Sequence, residues 1–244
     1  MKYKTTIKCF ITLLLIAFCS FAKAQIAKPS VSFYSVDDQE EITLFDGDSH
    51  SAQAPCDITC NANLEYDETE YDKVVCEWKI YKADEGESKP LLDRYEQDIN
   101  YTIKESGSHI IKLYVTFINN STGMTYDYEM ETGVSVVISE SKLTVTDGLS
   151  PNDDGLNDKL VIECQSLVKV DGVIKNRWGK TLHVFNVDNI AQGWDGKVNG
   201  KPVKDGGYIL HIDAIGSDGL HYKIRKVINV ISGFNSDAES TSDF

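Results

Sequence analysis

The stretch SPNDDGLNDKL, residues 150–160, gathers Asn152, Asp153, Asp154, Asn157 and Asp158 around Gly155. Side-chain oxygens at that density either coordinate a hard cation or fold back onto backbone N–H groups and fix a tight turn. A calcium loop needs oxygen ligands at alternate positions, glycine at the bend and a late bidentate acid. With Gly155 at the bend the first position is Ser150 and the last is Val161, so both ends fail the pattern. Asn152, Asp154 and Asp158 could still form a partial site. Calcium at residues 152–158 is therefore the weaker alternative to a hydrogen-bonded turn, and no other metal or cofactor is expected.

Catalytic chemistry finds little material. His50, His109, His183, His211 and His221 are scattered, and none sits in a G-x-S-x-G or H-E-x-x-H arrangement. Glycoside hydrolysis needs two carboxyls facing each other across a cleft, and in a chain with this many acids adjacent carboxylates arise by chance. No catalytic residue is assigned. Among the cysteines, Cys56-x-x-x-Cys60 lacks the further ligands of a zinc site. Cys60 and Cys76 occupy core-facing positions of neighbouring predicted strands and are the candidate disulfide, with buried free thiols as the alternative. Trp178 and Trp194 each stand beside a glycine turn. They are expected to cover the ends of a small core, their indole N–H groups bonded to turn carbonyls, rather than to serve as exposed platforms for sugar.

The compartment is set by residues 1–24. Lys2, Lys4 and Lys8 precede an apolar run from Cys9 to Ala22, and Ala22-Lys23-Ala24 is a small-x-small cleavage site. The run is shorter than the roughly 20 residues a membrane span needs, so residues 1–24 read as a signal peptide and no transmembrane segment is expected in the mature chain. Without the leader's four lysines, 20 basic residues face 38 acidic ones. Such a field disfavours nucleic acid and anionic lipid as partners.

The pattern that must position these residues is almost wholly that of strands. Ile111, Leu113, Val115 and Phe117 alternate with more polar neighbours, as do Cys76, Trp78 and Ile80, which is the two-residue period of a half-buried strand. Short runs of this kind are separated by clusters such as FDGDSH, KADEGESKP and NNSTG. The spacing predicts an all-β chain of two consecutive immunoglobulin-like β-sandwiches, with Trp78 at the centre of the first. YTIKESGSHIIKLYVTF resembles the penultimate hairpin of PKD-like and other immunoglobulin-like modules of bacterial surface proteins. In the second half, DDGLND, NRWGK, GWDGKVNGK, KDGGY and GSDGL supply glycine turns about every ten positions.

The second half also carries a resemblance. In order along the chain it presents Pro151, Asn152, Asp154, Gly155, Asn157 and Asp158; then Asn176, Arg177, Trp178 and Gly179; then Trp194, Asp195 and Gly196; then Asp205, Gly206 and Tyr208. This series resembles the gliding motility-associated C-terminal domain, the type B sorting domain of the type IX secretion system of Bacteroidetes. The resemblance implies a folded module recognised by the type IX machinery at the outer membrane, and hence a secreted or surface location. It divides the chain into a signal peptide (1–24), a PKD/immunoglobulin-like sandwich (25–142), a sorting domain (143–232) and an acidic tail (233–244) expected to lack order. The resulting expectation is a non-catalytic protein in which the first sandwich meets an unknown surface protein or glycan. A carbohydrate-binding accessory protein using Tyr66, Tyr71 or Tyr101 is the alternative.

Overall fold

The computed structural model describes residues 26–232, so the segments read as a signal peptide (1–24) and an acidic tail (233–244) lie outside the described residues. The first part comprises β1 (Ile26–Ala27), β2 (Ser30–Ser35), β3 (Glu40–Leu44), β4 (Ser49–Ala52), β5 (Cys56–Asn61), β6 (Leu64–Glu65), β7 (Lys73–Lys82), β8 (Leu92–Arg94), β9 (Asp98–Ile103), β10 (Gly107–Asn119), β11 (Met124–Glu129) and β12 (Val134–Ile138). The second comprises β13 (Lys142–Val145), β14 (Gly148–Leu149), β15 (Ile162–Gln165), β16 (Leu167–Lys175), β17 (Thr181–Phe185), a 3-10 turn (Ile190–Gln192), β18 (Lys197–Val198), β19 (Lys201–Pro202), β20 (Gly206–Gly216) and β21 (His221–Val230). The fold is all-β. Among the described residues no helix is long and apolar enough to cross a membrane.

In the first part a sheet of order β3-β2-β5-β9 faces one of order β4-β12-β10-β7-β8, with β11 also paired to β10. β4 runs parallel to β12 and every other pair is antiparallel, which is the strand order of an immunoglobulin-like sandwich. The alternation read from the sequence decides which atoms meet. Ile111, Leu113, Val115 and Phe117 of β10 are buried beside Cys76, Trp78 and Ile80 of β7, with Leu113 directly opposite Trp78. Across the gap lie Val31, Phe33, Ile58 and Ile103. The Trp78 indole is fully buried, and its N–H donates to the Gln97 carbonyl at 3.0 Å, so the largest core side chain leaves no polar atom unpaired.

The second part is built on a five-stranded sheet of order β14-β21-β20-β16-β17, which shares its core with the β13–β15 ribbon. Leu210, Ile212 and Ala214 of β20 pack with Ile174, Phe185, Ile228 and Trp194. The two cores meet through Val168, half-buried against the first core, and through small polar groups. Ala54 N–H donates to Ser166 Oγ at 3.1 Å, and the Ser139 and Ser166 hydroxyls lie 2.8 Å apart. Ser217 Oγ donates to the Ser139 carbonyl at 2.9 Å, and Ser106 N–H donates to the Ser217 carbonyl at 3.0 Å.

Two expectations are corrected here. All four described cysteines are free thiols, and Cys60 and Cys76 belong to opposite sheets, because the chain changes layer between β5 and β7. Burial pushes the Cys60 thiol up to about 12, which keeps it protonated and slow in exchange. Tyr71 is buried edge-on against Phe117 at 5.9 Å, while Tyr66 and Tyr101 are half-buried on the same core. None of the three is an open platform for sugar.

Among the described residues, His109 alone has a buried side-chain polar atom with no hydrogen-bond partner. It is fully buried, its Nδ1 lies 3.1 Å from the Gly107 carbonyl, and its Nε2 has no partner. Burial pushes its pKa below the ordinary value; Lys82 acts in the same direction, and the Gly107 bond and Glu105 oppose it. A histidine held neutral in the fold contributes stability that is present above its unfolded pKa of about 6.5 and is lost as pH falls below it. The urea midpoint of the wild-type chain is therefore expected to fall between pH 7.5 and pH 5 more steeply than that of His109→Leu. Parallel profiles for the two proteins would show that the imidazole does not sense pH.

Candidate functional site

The register of β20 gathers the turn residues at one end of the second unit. Ile209 pairs with Lys175 and Gly206 with Val230, whereas Gly216 at the other end pairs with Leu167 beside the serine junction. The turn after β16, the entry to β20 and the loop after β14 therefore all lie away from the first sandwich.

Asp158 closes the loop that follows β14. One of its oxygens accepts from the N–H groups of Asn152 (3.2 Å) and Asp153 (2.8 Å), and the other from Gly155 N–H (2.8 Å). Asp154 accepts from Leu156 N–H at 2.8 Å and from the Asn152 side-chain amide at 2.8 Å. Asp153, Gly155 and Asn157 all have positive φ, the backbone state that Asn, Asp and Gly tolerate best. The carboxylate oxygens that a cation would use are thus engaged by backbone donors. Among the described residues no group of three or more His, Cys, Asp and Glu is placed to hold a metal ion.

Trp194 stands where its sequence context suggested. It is 1% exposed, its Nε1–H donates to the Lys197 carbonyl at 3.1 Å, and it meets the Tyr208 ring edge-on at 5.8 Å. The preceding Gly193 is obligatory, since a Cβ there would fall 2.1 Å from the Leu160 carbonyl oxygen at the Leu160–Trp194 bridge. Asp195 caps its own turn by accepting from Lys197 N–H at 3.0 Å, and Gly196 packs against Pro151, which ties this turn to the loop after β14.

Trp178 reverses its expectation. Asn176 Oδ1 accepts from the N–H groups of Trp178 and Lys180, both at 3.0 Å, and Gly179 turns the chain with φ of 82°. This tight reversal projects the indole outward, 78% exposed, with the Arg177 guanidinium 4.8 Å from the ring centroid. A groove of about 530 Å³ opens beside it, lined also by Leu182, Val203, Lys204, Asp205 and Tyr208. Tyr208 forms a buried wall and donates to the Lys204 carbonyl at 2.6 Å; burial raises its phenol pKa. Asp205 accepts from both the N–H and the hydroxyl of Ser232, and these bonds hold its carboxyl below the usual range.

Elsewhere one trio has the composition of a hydrolase triad. Ser35 Oγ donates to Asp38 at 2.6 Å, and His50 Nε2 lies 2.9 Å from the same carboxylate oxygen. The acid, not the imidazole, holds the hydroxyl, and Ser35 is buried, so no base is placed to activate that oxygen. The trio closes the turn between β2 and β3.

Residues 143–228 match the family model of the CHU_C type IX secretion signal domain. No curated protein matches the chain. Among solved structures, the chain is similar to the Bacteroides ovatus mixed-linkage glucan utilization locus protein SGBP-B in complex with a mixed-linkage heptasaccharide, at 14% identity and a TM-score of 0.25, over 75% of this chain and 42% of that one. It is also similar to dimeric latent PorU from Porphyromonas gingivalis, at 8% identity and a TM-score of 0.20, over 85% of this chain and 34% of that one. The chain thus spans less than half the length of either structure.

Two outcomes follow for urea unfolding of the full chain. Trp194→Ala is expected to cost about 3–5 kcal/mol, whereas Trp178→Ala should stay within about 0.5 kcal/mol of wild type; equal losses would contradict the exposed placement of Trp178. Asp158→Ala strands three backbone donors and is expected to cost about 1–3 kcal/mol, with millimolar calcium leaving the wild-type transition unmoved. A calcium-dependent rise in stability would turn the loop from a turn into a cation site.

Proposed function

We propose that the protein is a non-catalytic secreted or cell-surface protein delivered by the type IX secretion system, with residues 143–232 as its sorting module and residues 25–142 as an interaction module. The observation that carries this reading is the family match over residues 143–228. The position of the motif turns supports it, because machinery that recognises a folded domain needs an accessible and rigid surface. The turns of Asn176, Asp158 and Asp195 are each pinned by side-chain to backbone hydrogen bonds at the end remote from the first sandwich. Trp178 and the groove beside it offer that machinery a recognition surface.

The first sandwich fits a role as cargo that binds rather than reacts. Residues 26–142 carry 24 acidic against 9 basic side chains, so its charge favours a basic partner surface. Its only Ser-Asp-His contact has the wrong order for nucleophilic catalysis. The deciding experiment uses a host competent for type IX secretion, expressing the full chain beside a version ending at Ser141. The full chain is expected at the surface or in the medium and the shortened one in the periplasm. Equal delivery of the two would refute the assignment.

A further inference from the structure

The five-stranded sheet of the second unit turns one face to its core and leaves the other to solvent. The register sets the residues of that open face in rows across the strands. Lys175, Ile209 and Val227 form one row, Val184, Val173, His211 and Arg225 the next, and Asp171, Asp213 and Lys223 the third. Val184 is 57% exposed, Val227 59% and Ile209 37%, so a diagonal band of β-branched side chains crosses a solvated sheet, where alternation ordinarily places polar residues. The charge around the band is positive. Asp171 is taken by Lys169 at 3.4 Å and Asp213 by His221 at 2.7 Å, while Lys175, Lys223 and Arg225 form no ion pair with a described acid. The first sandwich carries the complement. Residues 26–142 hold 24 acidic against 9 basic side chains, whereas residues 143–232 hold 11 of each. In the β2–β3 hairpin, Tyr34 and Val36 are exposed beside the exposed Glu40 and Glu41, and Tyr34 stands directly opposite Glu41. Neither glutamate forms an ion pair with a described base.

We propose that the open face of β17, β16, β20 and β21 docks the β2–β3 hairpin of a second copy of this chain, with Tyr34 and Val36 on the apolar band and Glu40 and Glu41 against Lys175, Lys223 and Arg225. Within one chain the face stays exposed, so the hairpin comes from another molecule. The two patches differ, which makes the contact head-to-tail and leaves one patch of each kind free at the ends of the assembly. Four strands about 4.8 Å apart and about 30 Å of β20 give a face of roughly 550 Å², short of the roughly 800 Å² per partner of a stable complex. The association is therefore weak and concentration-dependent. The net negative charge of each chain opposes it, but that field is screened over about 8 Å at physiological ionic strength, which leaves the local opposite charges to decide. The inference rests on the reading of the first sandwich as an interaction module and not on the export route.

Sedimentation velocity of the purified full chain provides the test. The weight-average coefficient is expected to climb from micromolar to millimolar protein at physiological salt and to stay near the monomer value at about 1 M salt, where the Debye length is about 3 Å. Arg225→Glu and Glu41→Lys are each expected to weaken association about tenfold, and the two reversals combined in one chain are expected to restore it. A fluorescently labelled Arg225→Glu chain still offers its hairpin, so it is expected to co-sediment with an excess of wild type. A monomer at every concentration, association indifferent to Arg225→Glu, or a labelled variant left behind by associating wild type overturns the proposal. Both substituted side chains are exposed, so unchanged melting curves are expected in the same samples. Arg225→Lys keeps the charge and is expected to associate like wild type, which separates loss of charge from loss of fold. The readout needs no export, so a failed delivery experiment leaves it intact, and a monomer leaves the delivery experiment intact.

Discussion

The backbone ladder of β20 is the constraint on which both ends of the second unit depend. It is paired along its length with β16 on one side and β21 on the other, so neither neighbour can slip by one residue without turning its own buried side chains, Val170 and Ile174 or Ile228 and Val230, out of the core. That fixed register sets the Asn176 turn against the entry to β20. It also sets the end of β21 against Gly206, where β14 adds a parallel pair through Leu149 and Val230. The same ladder fixes the opposite end, where the turn after Gly216 delivers Ser217 to the junction. A single strand thus decides that the junction and the motif turns cannot share a face.

The junction itself is made from groups that give position rather than adhesion. Serine hydroxyls and backbone N–H groups form most of its contacts, each with a net contribution of about 1 kcal/mol, and Val168 alone reaches the first apolar core from the second unit. Ser166 takes a positive φ of 47° and is buried, so its hydroxyl can serve Ala54 and Ser139 at once. A polar clasp of this kind orients the second unit without making its folding depend on the first.

Much of this was legible in the sequence where the physics is local. Alternation named the buried faces of β7 and β10, including Trp78, because a pleated strand must send every second side chain to the same layer. The glycine, asparagine and aspartate clusters located the reversals for the same local reason. What needed the fold was any statement about which elements face each other. Cys60 and Cys76 alternate correctly and sit close along the chain, yet no local pattern tells that β5 and β7 belong to different sheets. Tyr71 lies in a polar stretch and is buried only because Phe117 comes from a distant strand to meet it. Ser166 and Ser217 look like ordinary loop serines until two units are brought together.

The two tryptophans show where this boundary falls. Both follow the same rule of sequence, an indole beside a glycine turn, and they have opposite fates. Trp194 is drawn inward because Gly193 lets its backbone approach the Leu160 carbonyl more closely than any side chain would allow, which carries the ring onto Tyr208. At Trp178 the glycine follows, and Asn176 spends its side-chain oxygen on two N–H groups of the same turn, leaving the ring no inward path. Open space surrounds the site of a Cβ at Gly179, in contrast to the crowding at Gly193. The difference is one of backbone contact, not of hydrophobicity. An exposed indole loses the transfer free energy that burial would supply, and Arg177 over its ring recovers only part of it, about 0.5–1 kcal/mol at an exposed site. The exposure of Trp178 is therefore set by the hydrogen bonds of its turn rather than by the apolar character of its ring.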